Sequence, residues 1–253
     1  MNMSVFGEHK ERIITGLALV AFVLILGFID NFFLMWLFFG AVYLLAFKEA
    51  AKLFDVEKDN LLPYAALLWI IAAFYPYGYD LFVLAGVAYA SAVAFNKDIQ
   101  WKDFFPFIYP TAGILFAFTL YQEYGVISLL WLVVVVALTD VGAYAVGKSI
   151  GKTRFSETSP NKTVEGVIGG VTVATLGGMF VGYSIVDFGV AMAISFAVSL
   201  SSIFGDLFES SLKRTAGVKD SGDLLPGHGG ILDRIDGYLF GAIVMLVLLR
   251  GLV

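Results

Sequence analysis

The feature that most constrains this chain is a succession of long apolar runs separated by short polar turns. They extend approximately from Ile13 to Ile29, Phe32 to Phe47, Leu61 to Tyr75, Leu81 to Phe95, Phe104 to Leu120, Val126 to Val146, Val164 to Tyr183, Val186 to Phe204 and Ile235 to Val253. A helix rising about 1.5 Å per residue needs about 20 mostly apolar residues to cross roughly 30 Å of hydrocarbon, and several runs reach or approach that length. Hydrophobic residues make up 59% of the chain and charged residues 15%, with a mean hydropathy of +0.86, so too little polar surface exists to enclose a core in water. The fold class this predicts is all-α: a polytopic integral membrane protein of about nine transmembrane helices, forming one helical domain over residues 1–253. Eight or ten crossings also fit the pattern, because only Asp30 and Asn31 part the first two runs and the third run is short. No repeat period or low-complexity tract interrupts it.

Lys and Arg placement sets orientation in such a chain more than net charge, here −5, does. With nine crossings the basic residues fall on one side: Lys10 and Arg12; Lys48, Lys52 and Lys58; Lys97 and Lys102; Lys148, Lys152, Arg154 and Lys162; Lys213, Arg214, Lys219 and Arg234. Only Arg250 falls opposite. This asymmetry predicts a cytoplasmic N-terminus and places two long polar loops, Lys148 to Thr163 and Glu209 to Arg234, where soluble nucleotides are found. No small-residue cleavage pattern follows the first apolar run, which reads as a retained helix. The chain has no cysteine, which excludes thiolate chemistry and Cys-based zinc sites, and its imidazoles are His9 and His228.

Between Asp206 and Asp236 the chain reads GDLFESSLKRTAGVKDSGDLLPGHGGILDRID, with six carboxylates in about thirty residues. Acidic groups beside a bilayer are costly unless paired, hydrated or bound to a cation. Asp206 and Glu209 are three apart at the end of one apolar run, and Asp233 and Asp236 are three apart at the start of the next, so each pair shares a helix face. Two such pairs from adjacent helix ends supply the hard oxygens that Mg²⁺ prefers. Lys213, Arg214 and Lys219 can neutralise phosphate charge, and the Pro226–Gly230 turn lets backbone N–H groups approach a polyanion. Each part has a plainer reading: basic residues after a membrane helix are usually a solvated loop, His228 a turn residue, and Asp220 and Asp223 loop hydration.

These residues carry a resemblance. The stretch Ser210 to Asp236, with Ser-x-apolar-Lys-Arg, four residues, Lys-Asp, then His-Gly-Gly-apolar-x-Asp-Arg-apolar-Asp, resembles the signature of the phosphatidate cytidylyltransferase family. Thr139-Asp140-Val141-Gly142-Ala143-Tyr144 and Ser159-Pro160-Asn161-Lys162-Thr163-Val164-Glu165-Gly166 resemble it too, although Asn161 stands where many members have Lys. The resemblance covers the C-terminal half from about residue 139, and it implies that the catalytic machinery lies in 139–253. The activity it implies is attack of phosphatidate on the α-phosphorus of CTP, giving CDP-diacylglycerol and pyrophosphate, with Mg²⁺ and room for a second cation. It implies Asp206 and Asp233 as first metal ligands, with Asp236 and Asp220 next. By the same resemblance Lys213, Arg214 and Lys219 contact phosphate, and Ser159, Lys162 and Thr163 contact the nucleotide or lipid phosphate. Arg234 and His228 complete the expected substrate-binding set. Asp140 adds a ligand, orients Lys162 or merely pairs at a helix end.

The expected partners are CTP, phosphatidate and the lipid bilayer, not nucleic acid, and the expected location is a bacterial inner membrane. Glycines from Gly166 to Gly182 suit close helix approach, either within the chain or across a homodimer. An ion-coupled transporter is the rival from another class, but its charges belong at mid-bilayer depth and its halves often repeat. Phosphotransferases that consume CDP-diacylglycerol carry an Asp-Gly-x-x-Ala-Arg arrangement absent here. A cytidylyltransferase for another lipid phosphate shares the signature.

Overall fold

The computed structural model describes residues 16, 18, 20–56, 61–75, 77–225, 227 and 229–252. Lys10, Arg12, Lys58, Pro226 and His228, which figured in the orientation and site readings, lie outside the described residues. The chain is an all-α polytopic membrane protein. Its helices are α1, described over Val20–Ile29, α2 (Phe32–Leu53), α3 (Leu62–Ala72), α4 (Gly78–Phe95), the single turn α5 (Phe105–Ile108), α6 (Thr111–Ile150), α7 (Val164–Gly182), α8 (Phe188–Thr215) and α9 (Leu232–Leu252). Among the described residues, six helical stretches are long and apolar enough to cross a membrane, one of them running over Trp101–Ile150.

That stretch is two antiparallel arms. Gly125 takes φ 72° and ψ −176° inside α6, a left-handed φ that glycine adopts without steric cost. The Ser128 hydroxyl lies 3.0 Å from the Leu120 carbonyl oxygen, whereas eight residues of straight helix would separate the two by about 12 Å. Leu239 of α9 packs against Gly113 of the first arm, while Gly237 and Gly241 meet Val136 and Leu132 of the second. The chain therefore reverses where the fifth and sixth apolar runs were parted in the sequence.

Polar helix ends are longer than hydropathy indicates. Helix α8 continues eleven residues past Phe204 to Thr215, so Asp206, Glu209, Lys213 and Arg214 are helical, and the expected loop from Glu209 to Arg234 contracts to 216–231. Lys213 and Arg214 fall in the last turn, where cations complement the helix dipole. Helix α6 likewise carries Lys148 in its last turn.

Two apolar clusters hold the bundle. One joins α2, α3 and the first arm of α6 through Tyr43, Phe47, Trp69, Leu115 and Phe118. The other joins the second arm to α7, α8 and α9 through Trp131, Val135, Ile194, Val198 and Met245. Polar groups at this depth must be satisfied internally, and Trp131 Nε1 donates to Ser195 Oγ at 2.9 Å while Thr139 and Ser199 hydroxyls pair at 2.6 Å. The glycines of α7 serve packing within the chain: a methyl on Gly170 would strike the Thr139 carbonyl and Ala143, and one on Gly178 would strike Val135 and Ser195. That stripe is covered by the chain itself and is not left open for a second copy.

The ends sort into two poles. At one, Tyr121 donates to Asp30 at 2.9 Å, and Arg250, the basic residue expected to stand apart, pairs with Glu123 and lies 4.0 Å above the Tyr79 ring. The other pole gathers the ends of α2, α6 and α8 with the starts of α6, α7 and α9. There α8 and α9 cross backbone to backbone, since a methyl on Gly205 would lie 2.6 Å from the Asp236 carbonyl oxygen. Gly205→Ala is expected to lower the melting temperature in detergent, with an overpacking cost of roughly 1–3 kcal/mol. An unchanged melting curve would refute so close a crossing.

Candidate active site

One face of α8 carries Asp206, Glu209, Ser210 and Lys213, spaced by helical turns, and the Gly205 crossing sets this face against the first turn of α9. Lys213 joins the two helices: its Nζ lies 2.5 Å from Glu209 Oε2 and 2.6 Å from Asp233 Oδ1, with side-chain exposures of 12%, 0% and 5% for Lys213, Glu209 and Asp233. Lys213 was expected to contact phosphate. The geometry instead occupies it with two carboxylates.

Asp233 is equally committed. Its Oδ2 accepts from the Gly230 amide at 2.7 Å and from the Ser221 amide and hydroxyl, each at 2.9 Å. Reaching back three residues to Gly230 is what the acidic member of a capping box does, and Asp233 thereby starts α9 and closes the loop before it. Gly229, at φ 79°, passes so close that a methyl would meet Asp233 Oδ2 at 2.6 Å. The His-Gly-Gly step thus reflects both a left-handed turn and the bulk of this carboxylate.

Glu49, near the end of α2, completes the same loop from the other half of the chain. Its buried carboxylate accepts from the Ile231 amide at 2.9 Å and the Leu232 amide at 2.8 Å, and its Oε2 lies 3.0 Å from the Ser221 hydroxyl, whose single hydrogen it shares with Asp233. The sequence reading passed over it. The available signal was an acid at the end of an apolar helix, but its partners lie more than 170 positions away.

The second loop forms a short hairpin. Arg154 and Thr163 bridge antiparallel, and the Phe155 amide donates to the Lys162 carbonyl at 2.9 Å. Thr163 caps α7 by accepting from the Gly166 amide at 3.1 Å. Glu165 accepts from the Lys152 amide at 3.1 Å and the Thr153 hydroxyl at 2.9 Å. Thr163, expected to bind substrate, therefore spends its hydroxyl oxygen on a helix end. The hairpin presents Lys162, whose Nζ pairs with Asp206 Oδ2, and Ser210 donates to Asp206 Oδ1 at 3.2 Å. Ser159 is half-buried and its carbonyl closes the turn to the Lys162 amide at 3.0 Å.

Asp140, at the surface of α6, is an electrostatic neighbour of Asp206, Lys162 and Arg234. Asp236, on α9, is an electrostatic neighbour of Asp206, Glu209 and Asp140. Tyr109 also belongs here: its buried hydroxyl has no hydrogen-bond partner, its neighbours include Asp206, Glu209, Asp233 and Asp236, and its ring packs on Phe208 at 5.1 Å. The remaining expected residues lie on the exposed, loop side of this cluster, with Asp220 Cβ beside Gly229. Arg214 is exposed and donates to the Val218 carbonyl at 3.3 Å, and Lys219 and Asp220 lie on the exposed loop.

Among the described residues, no three His, Asp or Glu side chains are set as a ready-made metal cage. The donor set still fits Mg²⁺, which takes one or two carboxylates and completes its shell with water and phosphate oxygens. Asp236 accepts only from its neighbouring Gly237 amide, at 2.8 Å, among the described hydrogen bonds, Asp206 holds the side-chain ends of Lys162 and Ser210, and Glu209 Oε1 is buried without a hydrogen-bond donor while Oε2 pairs with Lys213. A neighbouring cation answers that deficit better than hydrocarbon does.

A family model described as Cytidylyltransferase family matches residues 10–252. A phosphatidate cytidylyltransferase of Helicobacter pylori (strain J99) is 42% identical over 245 residues, covering 96% of this chain and 92% of the relative. Phosphatidate cytidylyltransferases of Bacillus subtilis (35% over 260 residues, 92% and 94% covered) and Thermotoga maritima (33% over 263 residues, 96% and 97% covered) are similar along nearly their whole lengths. The match extends through the N-terminal half, where Glu49 and Tyr109 lie, as well as through the motif-bearing half. On this likeness the chain belongs to the cytidylyltransferase family and is a nucleotidyltransferase.

Proposed function

We propose that the chain transfers CMP from CTP to phosphatidate, forming CDP-diacylglycerol and releasing pyrophosphate, at the cytoplasmic face of a bacterial inner membrane. The relatives' names supply the substrates. The observation that carries the reading is the meeting of Asp140, Asp206 and Asp236 with Lys162 and Arg234 at one pole of the bundle. That pole also carries most Lys and Arg of the described loops, as a cytoplasmic face does.

In this reaction an anionic phosphate oxygen of the lipid bonds to the α-phosphorus of CTP, and the bond from that phosphorus to the bridging oxygen of the β-phosphate breaks. The electron pair leaves with pyrophosphate. A phosphate with a second pKa of about 6 already bears the attacking charge near neutral pH, so no carboxylate base is required. What remains is in-line positioning and charge neutralisation. Asp206, Asp236 and, through the Oδ1 that it shares with Lys213, Asp233 would supply oxygens for Mg²⁺, which when bound would neutralise the triphosphate and the leaving pyrophosphate. Lys162, paired with Asp206, would turn its ammonium to a phosphate oxygen. Arg234 stands beside Asp140 with a fork suited to a second phosphate. Lys213 fixes the distance between α8 and α9, and Arg214, Lys219 and Ser159 meet the nucleotide from the loop side. Exposed Val141 and Tyr144, next to Asp140 along α6, offer an apolar approach for a lipid entering sideways.

The detergent-purified chain is expected to release pyrophosphate only when CTP, phosphatidate and Mg²⁺ are all present, with a CDP-lipid as co-product. Activity with a different lipid phosphate alone would replace the substrate, and inactivity with every lipid would favour the transporter reading. Asp206→Asn is expected to lower kcat by at least about 100-fold, as loss of a charge-stabilising group does, with the fold retained by circular dichroism; full activity would remove Asp206 from the site. Lys162→Ala should raise KM for CTP or phosphatidate about tenfold or more, as loss of a charge-assisted phosphate contact of about 1.5–3 kcal/mol implies. Unchanged kinetics would make the hairpin architectural.

A further inference from the structure

We propose that Glu49 is a positioning residue for Asp233, acting through Ser221, so that α2 aims a catalytic carboxylate it does not carry. The inference rests on the reading of Asp233 as part of the active site.

The geometry is that of a template. An N-terminal helix turn leaves its first amides without intrahelical partners, and the Ile231 and Leu232 amides of α9 both go to the Glu49 carboxylate, at 2.9 and 2.8 Å. A carboxylate there is also favoured by the helix dipole. The glycines of both flanking motif segments fit around it: a methyl on Gly222 would lie 2.6 Å from Glu49 Oε1, and one on Gly230 would strike Ser221 Oγ and Glu49 Oε2. The loop is thus moulded on Glu49 as closely as on Asp233.

Ser221 couples the two acids. Its hydroxyl lies 3.0 Å from Glu49 Oε2 and 2.9 Å from Asp233 Oδ2, but it has one hydrogen to donate. The acid that accepts it holds the serine rotamer, and the other faces an oxygen lone pair. Asp233 Oδ2 retains the Ser221 and Gly230 amides in either case, and Oδ1 is the oxygen it shares with Lys213. Glu49 holds the Ser221 side chain and the Ile231 and Leu232 amides, and so places the Ser221 and Gly230 amides that aim the Asp233 carboxylate. Neither Glu49 nor Ser221 has to touch substrate for this.

The test uses the full chain in detergent, with Glu49→Gln, Ser221→Ala and the double variant. In Glu49→Gln an amide NH₂ opposes a backbone N–H, so the amides of 231 and 232 should exchange hydrogen faster in the absence of substrate. The kcat should fall about 10- to 100-fold, the usual cost of losing an orienting partner, with KM for CTP within about threefold. Ser221→Ala should lower kcat less, and the double variant should be no slower than Glu49→Gln, because residues that act through one another are non-additive. Wild-type kcat in Glu49→Gln despite faster exchange would reduce Glu49 to a helix cap, and fully additive losses would break the link through Ser221. If Glu49→Gln does not fold, Ser221→Ala decides alone: a lower kcat with unchanged KM and melting temperature supports the coupling, and a wild-type kcat overturns it. Full activity in Asp233→Asn would instead remove the underlying reading of Asp233, leaving the exchange result at 231 and 232 in place.

Discussion

A lysine held between two buried carboxylates is the interaction on which the pole bearing the candidate site depends. Lys213 spans Glu209 on its own helix and Asp233 on the next. Attraction within such a group offsets a desolvation cost of several kcal/mol per ion, and deleting one partner leaves a charge uncompensated at a cost of about 3–5 kcal/mol. The arrangement is poor as a general source of stability and good as a register device. It permits one depth of insertion for α9 against α8, and the Gly205 crossing permits one distance.

From that register the rest of the pole follows. With α9 fixed, Asp236 is an electrostatic neighbour of Asp206, and with Asp206 fixed, Lys162 has a partner. The hairpin bearing Lys162 is held in turn by Thr163 and Glu165 at the start of α7, and α7 is seated on α6 by backbone approach at Gly170. The bilayer imposes the same economy lower down. Polar groups cannot turn to water there, so Trp131, Ser195, Thr139 and Ser199 answer one another.

Much of the site was legible because its spacing is local. Asp206 with Glu209 and Asp233 with Asp236 could be placed on shared helix faces from a three-residue separation, and the apolar runs located the reversal at Gly125 before any contact was known. Residue type was a weaker guide. Lys213 and Thr163 have the chemistry of phosphate ligands, yet one bridges carboxylates and the other caps a helix, because each has a backbone or acidic partner within one turn. Glu49 and Tyr109 were missed for the opposite reason: each is a single polar group at the end of or within an apolar run, and its neighbours at the site come from distant helices.

The sequence by itself determined that this chain is a helical membrane protein, which pole bears the charge, and which short segments carry the family's motifs, since hydropathy, positive-inside placement and motif spacing are properties of neighbours along the chain. Only the tertiary structure decided which carboxylates are bound into the fold and which stay open to a ligand. That distinction depends on where α2, the α6 hairpin and α9 meet, and packing between helices remote in sequence leaves no periodic trace in the sequence of either one.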